Sequence, residues 1–148
     1  MAARKRKSKK QSAANLKQPD QYIFFIDEAL GSHEIPDALR DAGEAVETHN
    51  DIFASGTPDI VWIEYAGKQK RLAITKDKRI RHRSAEIKAI KTYKTKVFRF
   101  ASGNLRGKEM AEILVKSREK IKNYAASHKG PFIVSLARDG KLNSIDID

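Results

Sequence analysis

The chain has 148 residues, of which 33% are charged and 40% are hydrophobic, and its formal net charge is +11. No apolar run approaches the roughly 20 residues of a membrane span, and no apolar stretch near the start indicates a secretory signal. Cysteine is absent, which excludes disulfide bonds and thiolate metal sites and favours a reducing compartment. We therefore expect a cytoplasmic protein that does not bind membranes.

The charges are divided unevenly along the chain. Residues 1–19 carry seven Lys and Arg residues and no acid, which predicts a disordered basic arm before a folded domain at residues 20–148. Residues 20–67 have a net charge of −10, whereas residues 68–99 have a net charge of +11. This division predicts that the basic part binds an anionic polymer, although a charged face can also be merely solvated.

The first half of the chain alternates apolar runs with helical patterns. The first apolar run is uninterrupted, as in strands that are buried on both faces of a parallel sheet. The predicted elements are, in chain order, a strand at residues 22–26, a helix at 34–42, a weak strand at 45–48, a loop at 50–56 and a helix that Thr57 caps and Gly67 ends.

The second half continues the same alternation and ends in a hairpin. Its predicted elements are a strand at residues 71–75, a helix that Ser84 caps, a strand at 97–100, a long helix at 107–126, a strand at 132–136, a turn at Asp139-Gly140 and a last strand around 142–147. Such alternation predicts an α/β fold, namely a three-layer α/β/α sandwich around a mostly parallel sheet of about four or five strands.

Three aspartates are expected at one edge of this sheet. Asp27 and Asp77 each follow the carboxyl end of a predicted strand, and Asp59 begins a helix that starts at the same edge. Carboxylates that converge in this way repel one another unless a cation is bound, and all-oxygen sites suit Mg²⁺ or Mn²⁺. Beside a basic face, such a site is typical of phosphodiester hydrolysis. The alternative is purely structural, with acids that cap turns or interact with a helix dipole.

Several segments resemble the compact PIN-like domains. The matching features are a strand that ends in Asp-Glu, an Ala-Leu-Arg-x-x-Gly helix, an acid after a short strand, an Asp that opens a helix, and a strand that ends in Thr-x-Asp. They correspond here to Asp27-Glu28, residues 38–43, Asp51, Asp59 and Thr75-Lys76-Asp77. The resemblance covers roughly residues 22–100, and residues 131–140 are similar to the closing strand and turn of the same family.

This resemblance implies a metal-dependent ribonuclease, because PIN domains are such enzymes and many are VapC-type toxins of bacterial toxin–antitoxin pairs. It implies Asp27, Asp59 and Asp77 as the catalytic metal ligands and Mg²⁺ or Mn²⁺ as the cofactor. It also implies RNA as the substrate, a cognate antitoxin as a protein partner and a homodimer as a candidate assembly.

The fourth acid of a full PIN site is missing from its usual late position, where Ala-Ser-Gly-Asn follows Phe100. Ser102 or Asn104 stands near that place. The candidate substitutes are Glu28, which is closest in sequence to Asp27, followed by Asp51 and Glu64. A weaker or inactive PIN-like module that binds RNA or a protein without cutting is therefore the alternative function.

Two other motif matches are weaker. Pro58-Asp59 with Glu86-Ile87-Lys88 imitates the signature of restriction-type nucleases, but their Glu-x-Lys lies on a strand and this one lies in a predicted helix. Paired acids after the first strand also occur in phosphoacceptor receiver domains. Those domains place a lysine at the end of the fifth strand, and residues 132–137 contain none.

The cations that follow the Thr-x-Asp motif are predicted to bind nucleic acid. The predicted contacts are Lys76, Lys78, Arg79, Arg81 and Arg83. The segment 68–99 contains only two acids, Asp77 and Glu86, so local ion pairing cannot neutralise all of its cations. Phosphate groups would do so, and an acidic partner segment is the alternative.

Overall fold

The computed structural model describes residues 21–148, so the predicted basic arm at residues 1–19 lies outside the described residues. A single sheet runs through the middle of the domain. Its strands are β1 (Ile23–Ile26), β2 (Ala45–Thr48), β3 (Leu72–Thr75), β4 (Lys96–Phe100), β5 (Phe132–Leu136) and β6 (Leu142–Ile145). The spatial order is β2-β1-β3-β4-β5-β6, in which the first five strands are parallel and β6 is antiparallel to β5.

Helices connect the parallel strands. They are α1 (Glu34–Asp41), α2 (His49–Ile52), α3 (Asp59–Gln69), α4 (Ser84–Tyr93) and α5 (Gly107–Ser127). Two short 3-10 turns lie at Glu28–Leu30 and Ile80–His82. None of the helices in the described part of the chain is long and apolar enough to cross a membrane. The predicted mostly parallel α/β fold is confirmed.

The sheet separates two hydrophobic cores because successive residues of a strand point to opposite faces. Phe24 packs with Leu39 of α1 and Leu114 of α5 on one face. Its neighbour Phe25 packs with Trp62 of α3 on the other face, in the core that also contains part of α4. All these side chains are fully buried. The result is the predicted three-layer sandwich.

Four local predictions were wrong, and the first two concern a loop and a helix end. The predicted loop at residues 50–56 begins with the single-turn helix α2, because the Thr48 side chain accepts a hydrogen bond from the Asp51 N–H, and the Asp51 carboxylate accepts one from the Thr48 N–H. The helix predicted to end at Gly67 continues to Gln69. Lys70 ends it in a left-handed conformation, with φ of 58°.

Gly67 has a packing role instead of a terminating one. A Cβ atom at Gly67 would collide with the backbone carbonyl of Tyr93 and with the Thr95 side chain. The absence of a side chain therefore lets α3 lie close to the end of α4. The opposite, amino ends of both helices lie at the carboxyl edge of the sheet because each helix follows a parallel strand, and their first turns carry Asp59 and Glu86.

The start of α3 also differs from the prediction. Thr57 was predicted to cap the helix, but its hydroxyl donates to the carbonyl of Ala54 at 2.6 Å, and Pro58 is the capping residue. Asp59 consequently becomes the first residue of α3. Likewise, Ser84 is the first residue of α4, and Arg83 occupies the capping position.

Candidate metal centre and its cations

The hydroxyl of Thr75 links the first and third strands at their carboxyl ends. Ile26 of β1 pairs with Ile74 of β3, so Asp27 and Thr75 follow at the same level of the sheet. The Thr75 hydroxyl donates to Oδ2 of Asp27 at 2.8 Å and accepts the N–H of Asp77 at 3.1 Å. The threonine of the Thr-x-Asp motif therefore orients the Asp27 carboxylate and fixes the backbone at Asp77.

Asp27 is nearly buried, with 6% of its surface exposed. Burial raises the pKa of its carboxyl group because the charged form loses solvation, and the charge of Asp59 raises it further. The hydrogen bond from Thr75 acts in the opposite direction but does not cancel the effect of burial. Asp27 is thus a carboxylate that folding destabilises in the absence of a cation.

Asp59 is held by the residue one helical turn away. The indole N–H of Trp62 donates to Oδ1 of Asp59 at 3.0 Å, and the Trp62 side chain is fully buried between α3 and the sheet. A buried indole has one fixed orientation, so the carboxylate that accepts its hydrogen bond is also oriented. Oδ2 of Asp59 lies 3.9 Å from Nη1 of Arg83.

Glu86 joins Asp59 and Asp77 in what we call the acidic trio. One oxygen from each of these residues can be chosen so that all three atoms lie within 4.8 Å of one another, and among the described residues no other group of three acids or histidines does so. Burial raises the pKa of Glu86, and the charges of Asp59 and Asp77 raise it as well, although Arg83 lowers it. The trio is therefore a set of mutually repelling carboxylates.

Asp27 lies outside this tight group but shares a cleft with two of its members, Asp59 and Asp77. The cleft has a volume of about 700 Å³ and is lined by both carboxylates and cations. Its lining residues are Asp27, Glu28, Ala29, Asp59, Lys76, Asp77, Lys78, Arg79, Arg83 and Gly103. The three predicted ligands, Asp27, Asp59 and Asp77, thus share one cleft, and Asp59 and Asp77 are in the closest group.

Glu86 was not predicted as a member of this group. In the sequence it matches only a restriction-type motif, whose Glu-x-Lys belongs on a strand, whereas the structure places Glu86 in the first turn of α4. A signal was nevertheless present. Helices that follow parallel strands start at the carboxyl edge, so an acid in the first turn of α4 lies at the edge where Asp77 follows β3.

The fourth-acid candidates predicted from the sequence have other contacts. Glu28 lines the cleft, but its carboxylate accepts hydrogen bonds from the Ser55 hydroxyl and the Gly56 N–H. Asp51 belongs to the capping interaction of α2. Glu64 pairs with Lys68 at 2.5 Å on the exposed side of α3. Neither Asp51 nor Glu64 lines the cleft.

The late acid of a PIN site was expected near Ser102 or Asn104. Gly103 lines the cleft there, whereas Ser102 and Asn104 do not. The hydroxyl of Ser102 accepts a hydrogen bond from the backbone N–H of Asn104 at 3.3 Å. Within residues 21–148, Glu86 is therefore the acid that supplements Asp59 and Asp77 most closely.

Four of the five predicted nucleic-acid contacts line the cleft, and we call them the cleft cations: Lys76, Lys78, Arg79 and Arg83. Arg81 points to a second cavity of about 600 Å³ beside α4 and the carboxyl-terminal residues. Arg83 is paired with the acidic trio, whereas no carboxylate of the described residues lies within 4.0 Å of the side-chain nitrogens of Lys76, Lys78 or Arg79. Three cations therefore remain available to a ligand.

The acidic trio fits a hard divalent cation. Mg²⁺ and Mn²⁺ prefer oxygen ligands, at distances of about 2.0–2.6 Å, and oxygen atoms that surround such an ion lie roughly 3–5 Å apart. The 4.8 Å limit that the trio satisfies is within this range. The trio also has partial burial and an excess of negative charge, both of which favour an ion over water alone.

Comparisons with known proteins show which proteins the chain resembles. A family model described as a PIN like domain matches residues 23–102, which is more than half of the chain. The chain is also similar to the Mycobacterium tuberculosis (strain ATCC 25618 / H37Rv) protein named "Putative ribonuclease VapC45", with 26% identity over 129 residues, 80% of this chain and 93% of the relative. No solved structure shows a significant match to the chain.

Proposed function

Because this chain belongs to the PIN-like domain family, we propose that it is an endoribonuclease that depends on Mg²⁺ or Mn²⁺. The observation that carries the proposal is that Asp27, Asp59 and Asp77 share a cleft that cations also line, while Glu86 completes the acidic trio with Asp59 and Asp77. The relative named a ribonuclease supports RNA as the substrate. The position of the carboxylates at the sheet edge supports a hydrolytic metal site.

We assign the metal-binding role to Asp27, Asp59 and Asp77, with Glu86 in place of the missing fourth acid. A divalent ion bound here would activate water and neutralise the leaving oxygen. Asp59 and Asp77 hold their positions through Trp62 and the backbone of the β3–α4 connection. Glu28 lies at the border of the cleft and is the next candidate, reached only if it releases Ser55 and Gly56.

The free cleft cations bind the RNA backbone in this proposal. Lys76, Lys78 and Arg79 have no acidic partner among the described residues, and they line the same cleft as the carboxylates. They would hold a phosphodiester beside the metal ligands and exclude part of the water around it. Arg81, on the other side of the Ile80–His82 turn, would contact the strand beyond the cleft.

A toxin of a toxin–antitoxin pair is the biological role that we propose, because the similar Mycobacterium tuberculosis protein carries a VapC name. An antitoxin protein is then the expected partner, and a homodimer the expected assembly. We place the reaction in the cytoplasm, where its RNA substrate is found, and the absence of cysteine is compatible with this reducing compartment.

One observation favours a second candidate function, a module that binds RNA with little or no cleavage. Arg83 lies among the three carboxylates where a divalent ion would bind, which reduces the net negative charge available to that ion. A site with weak metal affinity would cut slowly at cellular Mg²⁺ concentrations. The two functions share the cleft and differ in the rate of metal-dependent cleavage.

RNA cleavage in Mn²⁺ and in EDTA distinguishes these functions. We expect cleavage of single-stranded RNA by the wild-type protein in Mn²⁺ and none in EDTA. Asp77→Asn should lower the rate by at least about 100-fold, since a ligand that positions charge in the transition state is lost. Asp41→Asn, a matched change at an exposed helix end outside the cleft, should leave the rate unchanged. Cleavage in EDTA, or full activity of Asp77→Asn, would contradict the proposed enzyme.

A further inference from the structure

A single guanidinium group contacts all three carboxylates of the acidic trio. Nη1 of Arg83 forms an ion pair with Oδ2 of Asp77, lies 3.3 Å from Oε1 of Glu86 and lies 3.9 Å from Oδ2 of Asp59. The other three cleft cations make no such contacts within the described residues. Arg83 is therefore an internal cation at the position where the trio would otherwise be uncompensated.

Arg83 and a divalent ion cannot use these oxygen atoms together. A metal ligand lies about 2.0–2.6 Å from its ion, so an ion among the three oxygens would overlap the volume around Nη1. The guanidinium group remains charged at all physiological pH values, so loss of a proton cannot relieve the conflict. Repulsion between the two positive charges adds to the overlap. One cation must move before the other can bind.

The surroundings of Arg83 allow it to move. Its side chain is 40% exposed, and the residue lies between the Ile80–His82 turn and the start of α4 with extended backbone angles, φ −101° and ψ 110°. Its ion pairs are only partly buried, so breaking them costs less free energy than breaking a fully buried pair. Two of the carboxylates, by contrast, are oriented by other donors, because Asp59 accepts the indole N–H of Trp62 and Asp77 accepts the backbone N–H of Arg79.

We propose that Arg83 is the resident counter-ion of the acidic trio, which a divalent metal must displace, and that it thereby sets the metal affinity of the site. This inference rests on the proposed metal site. It makes Arg83 a residue that determines how much Mg²⁺ or Mn²⁺ the protein needs, in addition to any later contact with RNA. The net charge of the trio with Arg83 present is −2, and without it −3.

Mn²⁺ titration by calorimetry tests this role with three variants. Arg83→Gln keeps a side chain of similar shape but removes the charge, and it should bind Mn²⁺ at least about threefold more tightly than the wild type. Arg79→Gln is the matched control. It removes the same charge from the same cleft, but Arg79 contacts Asp77 only through its backbone N–H, at 2.9 Å. Arg83→Lys restores the charge and should return the affinity toward the wild-type value.

A second readout reports on the folded protein. Thermal unfolding should show a larger Mn²⁺-induced increase in Tm for Arg83→Gln than for the wild type or Arg79→Gln, because tighter binding stabilises the folded state more. Equal Mn²⁺ affinities of Arg83→Gln and Arg79→Gln, or weaker binding by Arg83→Gln, would overturn the counter-ion role and leave the metal site intact. Absence of Mn²⁺ binding in every variant and in the wild type would overturn both the metal site and the inference.

Discussion

Two charged clusters of this domain are built on opposite balances of charge. Near the start of β2, Glu44 is nearly buried, and its carboxylate contacts Arg118 at 3.3 Å and Lys122 at 2.8 Å, both from α5. At the carboxyl edge, three carboxylates share one arginine. The Glu44 cluster has enough cations for its acid and fastens β2 to α5. The acidic trio has three carboxylates and only one arginine to neutralise them. Such an excess of negative charge is typical of a cation-binding site.

The largest expected change in stability comes from the balanced cluster. Glu44→Gln should lower the free energy of unfolding by about 2–3 kcal/mol, because two partly buried cations lose the carboxylate that compensates them. Urea denaturation of the two proteins at neutral pH measures the difference. Glu119→Gln is the matched control, since Glu119 pairs with Lys122 but is 68% exposed, and its effect should remain below about 0.5 kcal/mol. Equal effects of the two changes would mean that Glu44 has no special structural role.

The next effect concerns the hydroxyl that joins the two aspartates. Thr75→Val should lower the free energy of unfolding by about 1–2 kcal/mol, because buried Asp27 loses its side-chain donor and the Asp77 N–H loses its acceptor. Thr75→Val should also weaken Mn²⁺ binding. Thr75→Ser retains the hydroxyl and should restore the Mn²⁺ affinity, although it does not restore the packing of the threonine methyl group. If Thr75→Val and Thr75→Ser bind Mn²⁺ equally well, the hydroxyl does not orient the site.

Removal of the buried charge of Asp27 should stabilise the folded protein, in contrast to the two preceding changes. In EDTA, Asp27→Asn should raise the free energy of unfolding by about 1 kcal/mol, since a desolvated carboxylate is replaced by a neutral acceptor for Thr75. Burial raises the pKa of Asp27, so the ionised carboxylate lowers the free energy of unfolding of the wild type above that pKa. This destabilisation decreases as the pH falls toward the ordinary carboxyl range. The advantage of Asp27→Asn should therefore shrink with falling pH. A constant difference between pH 7 and pH 4 would rule out this explanation.

The smallest expected effect is on RNA binding in EDTA. Arg79→Gln should weaken binding of a single-stranded RNA and reduce the salt slope by about 0.7, the value of one lost phosphate contact on a single strand. Lys116→Gln is a control, because Lys116 is exposed on α5 and lines neither the cleft nor the cavity beside Arg81. Fluorescence anisotropy at several salt concentrations gives both slopes. A larger loss for Lys116→Gln would place the main path of the RNA along α5.

The sheet and three of the acids could be predicted because they depend on short-range patterns. Apolar runs followed by Asp27 and Asp77 identify strands and their carboxyl ends, the Thr57-Pro58-Asp59 helix start adds Asp59, and parallel topology then brings these positions together. Glu86 was not assigned because its closeness to Asp59 depends on how α3 and α4 pack, a contact that Gly67 permits. The pairing of Arg83 with the trio depends on side-chain geometry and has no pattern in the sequence. The location of the site at one edge of the sheet could therefore be predicted from the sequence, but its complete set of charged residues could not.

The position of a bound ion tests the central claim most directly. Crystals soaked in Mn²⁺ and measured at a wavelength where manganese scatters anomalously would locate it without reference to activity. We expect one peak at the assigned ligands Asp27, Asp59, Asp77 and Glu86, within about 2.0–2.6 Å of the carboxylate oxygens that bind the ion, with the Arg83 guanidinium moved away from them. A Mn²⁺ peak elsewhere in the domain, or no peak at concentrations that support cleavage, would contradict the account.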